Sequence, residues 1–130
     1  MEIISDFEKL SFHDVSIEDV SRLDSTIIMV VSGVFVSKEH PSSNGYDCVI
    51  QNGVFTIYNV SSEKSLSWID TFAPVPNETP EYPIDEIMHA EFTGNTFHLD
   101  GFKETTPWHE WFIEATGFKL LAIKSVGTTS

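Results

Sequence analysis

With 130 residues, 41% of them hydrophobic, the chain has the size and composition of one globular domain, residues 1–130, able to bury a single core. Seven Lys and Arg face twenty Asp and Glu, a formal charge of −13 that repels phosphate backbones and anionic lipid. Nucleic acid and membrane are therefore disfavoured as partners, whereas a basic protein would be attracted and steered.

Phe12 to Val20 opens the chain as a half-buried strand, with Val15 and Ile17 alternating against Asp14, Ser16 and Glu18. A short polar link, Arg22 to Ser25, leads into Thr26 to Val36, whose Ile-Ile-Met-Val-Val centre predicts a strand covered on both faces and paired with the first. Lys38 to Gly45 reads as a loop. Tyr46 to Ile50 and Val54 to Val60 flank Gln51-Asn52-Gly53, and Asn-Gly between apolar runs predicts a tight hairpin with a type I′ turn. The single cysteine, Cys48, lies in the first of these runs. It excludes an internal disulfide or a multi-cysteine zinc site and is expected as a buried small hydrophobe.

Ser65 to Phe72 reads as a further strand or a short irregular segment. Pro74 to Pro83 holds four prolines and two glutamates, so regular structure is not expected there, and the stretch reads as an excursion across one end of the sheet. Thr79-Pro80 or Tyr82-Pro83 could begin one turn of helix towards Met88. His89 to Thr93, a turn at Gly94-Asn95, and Thr96 to Phe102 form a hairpin in which Phe97 and Leu99 share a face. In Trp108 to Ala115 the shared face is Trp111, Ile113 and Ala115, and Thr116-Gly117 turns the chain into a last strand, Phe118 to Ile123. The expected fold is mainly β: a curved antiparallel sheet of seven or eight strands, as a sandwich or partly open barrel, with at most one short helix.

Chemistry is thinly marked. There is no G-x-S-x-G elbow, no G-x-x-x-x-G-K-[ST] loop and no G-x-G-x-x-G fingerprint, so no catalytic residue and no cofactor is assigned. His13, His40, His89, His98 and His109 are scattered without ligand spacing, and no metal is assigned. His13-Asp14 and His109-Glu110 should each point to opposite faces of a strand. Glu110 and Glu114 lie on one face and would serve a hydrolase only if a histidine converged on them; otherwise they are solvated carboxylates. Trp68, Trp108 and Trp111 could line an apolar cavity or simply fill the core, Trp108 being the one expected to stay partly exposed. The start of the chain shows no basic segment followed by an apolar stretch, and a cytoplasmic location is expected.

Three segments carry a resemblance: Phe12-His13-Asp14, Leu99-Asp100-Gly101-Phe102 and Pro107-Trp108-His109-Glu110-Trp111. Together they resemble small uncharacterised bacterial β-rich proteins of the immunity-protein type, encoded beside polymorphic toxins. The resemblance implies a non-enzymatic inhibitor that binds a basic toxin enzyme, and it carries over no contact residues. Charge and exposure nominate Glu78, Glu81, Asp85, Glu86, Trp108 and Glu110 as partner-binding residues, with the outward carboxylates of the first strand beside them. The alternative is a carrier of a small apolar ligand, with an aromatic-lined cavity in the curved sheet.

Overall fold

The computed structural model describes residues 1–68, 75–76, 83–104 and 106–127. The chain runs through β1 (Glu2–Ile3), a single 3-10 turn (Phe7–Lys9), β2 (Leu10–Ser11), β3 (Val15–Leu23), β4 (Thr26–Ser32), β5 (Val34–Val36) and β6 (Cys48–Tyr58). It continues through β7 (Ser62–Ser67), β8 (Val75–Pro76), β9 (Glu86–Thr93), β10 (Thr96–Lys103), β11 (Thr106–Glu114) and β12 (Gly117–Gly127). All pairings are antiparallel, in the order β1-β12-β6-β4-β3-β9-β10-β11-β7-β8, with β2 and β5 as a small flap on β6. The expected mainly-β, curved antiparallel architecture is the one observed, with more and shorter strand segments than the seven or eight expected, several of them only two or three residues long.

The sheet curls because each strand has one apolar face to bury. Phe55 of β6 and Phe118 of β12 lie with their ring centroids 6.1 Å from Phe97 of β10, so the two halves of the sheet meet through their inner faces. Phe7 of the 3-10 turn plugs the space between them, 5.2 Å from Phe12 and Phe118 and 5.5 Å from Phe97. Among the described residues the terminal strands of the sheet, β1 and β8, are not paired with each other, so the sheet is not closed there. One contiguous core results, with Ile27, Met29, Val31, Leu99, Trp111 and Ile113 among its buried members.

Several expectations are corrected. Asn52-Gly53 is no hairpin: β6 runs straight through it as an eleven-residue strand paired on both sides. A Cβ at Gly53 would lie 2.9 Å from Cγ2 of Ile50 and 3.3 Å from the carbonyl oxygen of Leu121. The glycine is therefore there for close approach, beside an irregularity in β12 at Ala122 to Ser125, rather than for a turn. Nor do β11 and β12 form a hairpin. The chain crosses between the halves at Ala115-Thr116, and β12 pairs with β6 while β11 pairs with β10 and β7. The same corner carries the passage from β6 to β7, tied by Thr116 N–H to the Tyr58 carbonyl (3.2 Å) and Ser61 N–H to the Glu114 carbonyl (2.8 Å).

β4 alternates buried and half-buried residues instead of being covered equally on both faces. Val75–Pro76, inside the proline-rich stretch, does pair with Leu66 and Ser67 of β7. Of the two expected helical starts, Thr79-Pro80 lies outside the described residues, and no helical turn runs from Pro83 towards Met88: the main chain of Asp85 bonds to Phe102 and Ile17 at 2.7 Å each, and Glu86 already begins β9. Cys48 is half-buried against the core, where burial, and next to it the Asp47 carboxylate, push its thiol pKa up. His13 and Asp14 do not point apart: Asp14 adopts φ 64, and His13 Nε2 comes within 3.4 Å of Asp14 Oδ2. No helix among the described residues is long and apolar enough to cross a membrane.

Candidate functional site

Strand alternation sorts the side chains of β10 and β11 into two populations. Phe97 and Leu99, with Trp111 and Ile113, go inward and are fully buried. His98, Asp100 and Phe102, with Trp108, Glu110 and Phe112, take the other face. Cross-strand register sets His98 opposite Phe112 and Asp100 opposite Glu110. On the neighbouring β9, Glu91 lies opposite His98 and His89 opposite Asp100. β7 places Leu66 beside Glu110, and main-chain pairing continues past its end, Trp68 N–H donating to the Trp108 carbonyl at 2.8 Å.

These neighbours enclose an outward-facing cleft of about 190 Å³ lined by Trp68, Asp100, Trp108 and Glu110. Glu110 is held at both oxygens: Trp68 Nε1–H donates to Oε2 at 2.6 Å, and His98 Nε2 lies 3.0 Å from Oε1. His98 is in turn fixed by face-to-face stacking on Phe112, with ring centroids 4.3 Å apart, and its Nδ1 is 3.6 Å from Glu91 Oε1. Trp108 stacks on Phe102 at 5.1 Å and leaves 45% of its surface exposed. Asp100 differs from Glu110, for no hydrogen bond to its side chain is found among the described residues. Burial pushes its carboxyl pKa up; His89 and His98 oppose that, and Glu110 and Glu91 reinforce it.

Among the described residues Asp100 is thus a half-buried carboxylate without a donor, in a cleft shared with two indoles and a second carboxylate, a set of groups whose chemistry suits a cation. An indole beside the cleft can attract an ammonium or guanidinium, and Asp100 and Glu110 supply negative charge. Among the described residues no group of three or more His, Cys, Asp and Glu has the geometry of a metal site. On the opposite face of β11, His109 is buried and, among the described residues, neither of its ring nitrogens is hydrogen-bonded, nor are the hydroxyls of Ser65 and Ser67 on β7. Burial, and behind it the Lys103 charge, lower the His109 pKa, with Asp85 opposing.

Of the residues named from sequence, Trp108 and Glu110 converge in the cleft. Glu110 is enclosed and hydrogen-bonded rather than freely solvated, whereas Glu114 stays exposed at the end of β11. Asp85 lies away from the cleft and serves the fold: Lys103 Nζ donates to it at 3.0 Å and the Glu104 N–H at 2.6 Å, fastening the end of β10. Glu86 is half-buried on β9 opposite Phe102 and Ser16. Glu78 and Glu81 lie outside the described residues. Asp14 and Glu18 of the first strand are exposed and separate from the cleft.

From sequence Trp68 is expected only as lining of an internal apolar cavity or as core, and His98 and Asp100 are not assigned to a partner-binding site; the structure puts Trp68 and Asp100 in the outward cleft, with His98 against Glu110. The alternation of His98, Asp100 and Phe102 against buried Phe97 and Leu99 was legible, but not that Trp68 would close over them from β7. Comparison of the chain with protein-family models, with curated proteins and with solved structures finds no match.

Proposed function

We propose that the protein is a non-enzymatic binding domain that engages a basic protein by taking one of its Lys or Arg side chains into the Trp68–Trp108 cleft. The observation that carries this reading is Asp100, a partly desolvated carboxylate for which the described residues supply no donor, in a cleft it shares with two tryptophans. The charge of −13 supports it by steering a cationic partner towards the surface. A basic enzyme of the kind an immunity-type inhibitor blocks would be such a partner, and the resemblance of the Leu99–Phe102 and Pro107–Trp111 segments is in keeping with that class. The interior favours an apolar-ligand carrier less, because the Phe7, Phe55, Phe97 and Phe118 rings already fill the space between the sheet halves.

The test is affinity capture from host lysate at low and then moderate salt, with the tagged chain and with its Asp100→Asn and Trp108→Ala variants as bait. Capture of one basic protein by the native chain, reduced about tenfold by either substitution, is the expected result. Capture that ignores both substitutions, or none under either salt condition, would overturn it.

The Asp100–Glu110 pair also favours a second reading. A carboxyl with a raised pKa facing a carboxylate fixed by two donors is the arrangement of acid and base in glycoside hydrolysis, and flanking tryptophans suit a sugar ring. Turnover of chromogenic glycosides, abolished by Asp100→Asn and by Glu110→Gln alike, would establish that reading in place of the first.

A further inference from the structure

β9 has strand neighbours on both sides only at its start, where Glu86 and Ile87 pair with Ser16 and Val15 of β3 and with Phe102 and Gly101 of β10. Beyond that point the chain preceding β3 leaves the sheet. Asp14 takes a left-handed conformation, Val15 N–H bonds back to the Phe12 carbonyl at 3.1 Å, and β2 swings across to pair with β5. From Met88 to Thr93, β9 therefore has β10 as its one strand partner among the described residues. Its other edge faces a groove of about 530 Å³, whose far wall is the 3-10 turn and β2.

The direction of the free main-chain groups follows from the hairpin. Thr93 and Thr96 flank a two-residue turn with positive φ at Gly94, an arrangement in which the flanking residues exchange main-chain bonds with each other. Alternation then turns the N–H and C=O groups of Phe92 and Ala90 towards the groove. The same edge already draws a hydrogen bond from outside the ladder, with His13 Nδ1 lying 3.1 Å from the Met88 carbonyl oxygen. The sheet's terminal strands β1 and β8 are two residues long and offer little to a pairing strand.

We propose that this groove takes an extended segment of a partner protein, with alternating apolar and basic side chains, as an added strand beside β9. The apolar positions of such a segment would meet Phe92, which stacks on Phe97 at 4.0 Å, together with Phe7 and Leu10 on the groove wall. Its basic positions would meet Glu91, half exposed on the outer side of β9, and Glu8 across the groove. A second copy of the chain is the wrong occupant, since each copy carries −13. The proposal rests on the reading of the protein as a binder of basic partners but concerns a different surface, main-chain pairing at β9 in place of a single side chain in the tryptophan cleft. Two or more ladder hydrogen bonds supply affinity, and the alternating pockets supply specificity.

The experiment is a titration of the isotope-labelled full chain with an end-blocked peptide of alternating Lys and Val, followed by amide cross-peaks and hydrogen exchange. The largest shifts are expected at Ala90 and Phe92, with amide exchange slowed at both. Ala90→Pro removes a groove-side donor and should weaken binding about tenfold. Because that variant could unfold, a peptide N-methylated at the residues facing β9 provides the same test on the native chain and should bind about as weakly. Shifts confined to the indole N–H groups of Trp68 and Trp108 would overturn the groove while leaving the cleft reading intact. Absence of any shift at β9, equal binding by the methylated peptide, or a sedimentation dimer that already protects Ala90 and Phe92 would overturn it as well.

Discussion

Two corners of the same half-sheet each contain a tryptophan indole donating to a glutamate, and they differ in what completes them. On the inner side Trp111 Nε1–H donates to Glu63 at 2.9 Å, and Arg22 closes the charge with two bonds to the same carboxylate, at 2.6 and 3.0 Å. Its guanidinium also lies 5.7 Å from the Trp111 ring centroid. On the outer side Trp68 donates to Glu110, Trp108 stands across the cleft and Asp100 lies opposite, and the described residues pair no Lys or Arg with either carboxylate. The inner corner shows how this chain neutralises a half-buried carboxylate beside a tryptophan when the fold itself is at stake. The outer corner has the same parts without the cation, which is the physical ground for expecting the cation from a partner.

The sharpest way to disturb the comparison is Gly101→Ala. Gly101 sits where the β9–β10 register shifts, and a Cβ there would run into the main chain of Glu86. Backbone cannot give way as a flexible side chain can, so a loss of about 3 kcal/mol is expected in denaturant unfolding, with Asp100 displaced from the cleft. Next in size is a pair of substitutions with opposite signs. Arg22→Met strands Glu63 and should cost about 2 kcal/mol, less than for a fully buried pair because both partners keep some exposure. Asp100→Asn removes a desolvated charge and should leave stability unchanged or raise it slightly at neutral pH. Equal losses from the two would show that the outer carboxylate is as structurally committed as the inner one.

The smallest effect is on pH dependence. Because the folded-state pKa of His109 is lowered, the unfolded chain takes up a proton near the ordinary value of about 6.5 while the folded one does not. Stability is then undiminished above that pH and falls as the medium is acidified below it, a slope that His109→Gln should flatten in unfolding curves recorded across the range. Asp100 acts with the opposite sign at lower pH. Its raised pKa makes the folded chain the better proton binder, so stability is lost as pH rises through the Asp100 window. A cation in the cleft favours the ionised form, and its binding should strengthen across that same window.

Local pattern carried a reader far in some places and misled in others. The β9–β10 hairpin, the pairing of β3 with β4, and the inward face of Phe97, Leu99, Trp111 and Ile113 all follow from alternation and turn residues close together in the chain. Asn52-Gly53 has the local chemistry of a turn, yet the neighbours that require a glycine there, Ile50 and Leu121, come into place only once β6 and β12 are paired. In the same way His109 could be assigned to the face opposite Glu110, but not recognised as buried with no hydrogen-bond partner among the described residues.

By itself, then, the sequence determined a mainly β chain, its charge, and the inward faces of β3, β10 and β11, because these depend on period and composition alone. Only the tertiary structure decided that β11 and β12 part company, that Trp68 meets Asp100 and Glu110 in one cleft, and that no strand of the described residues pairs with the outer edge of β9 beyond Ile87. Each of these depends on cross-strand register and on where a distant segment packs, and such long-range geometry leaves no periodic mark along the chain.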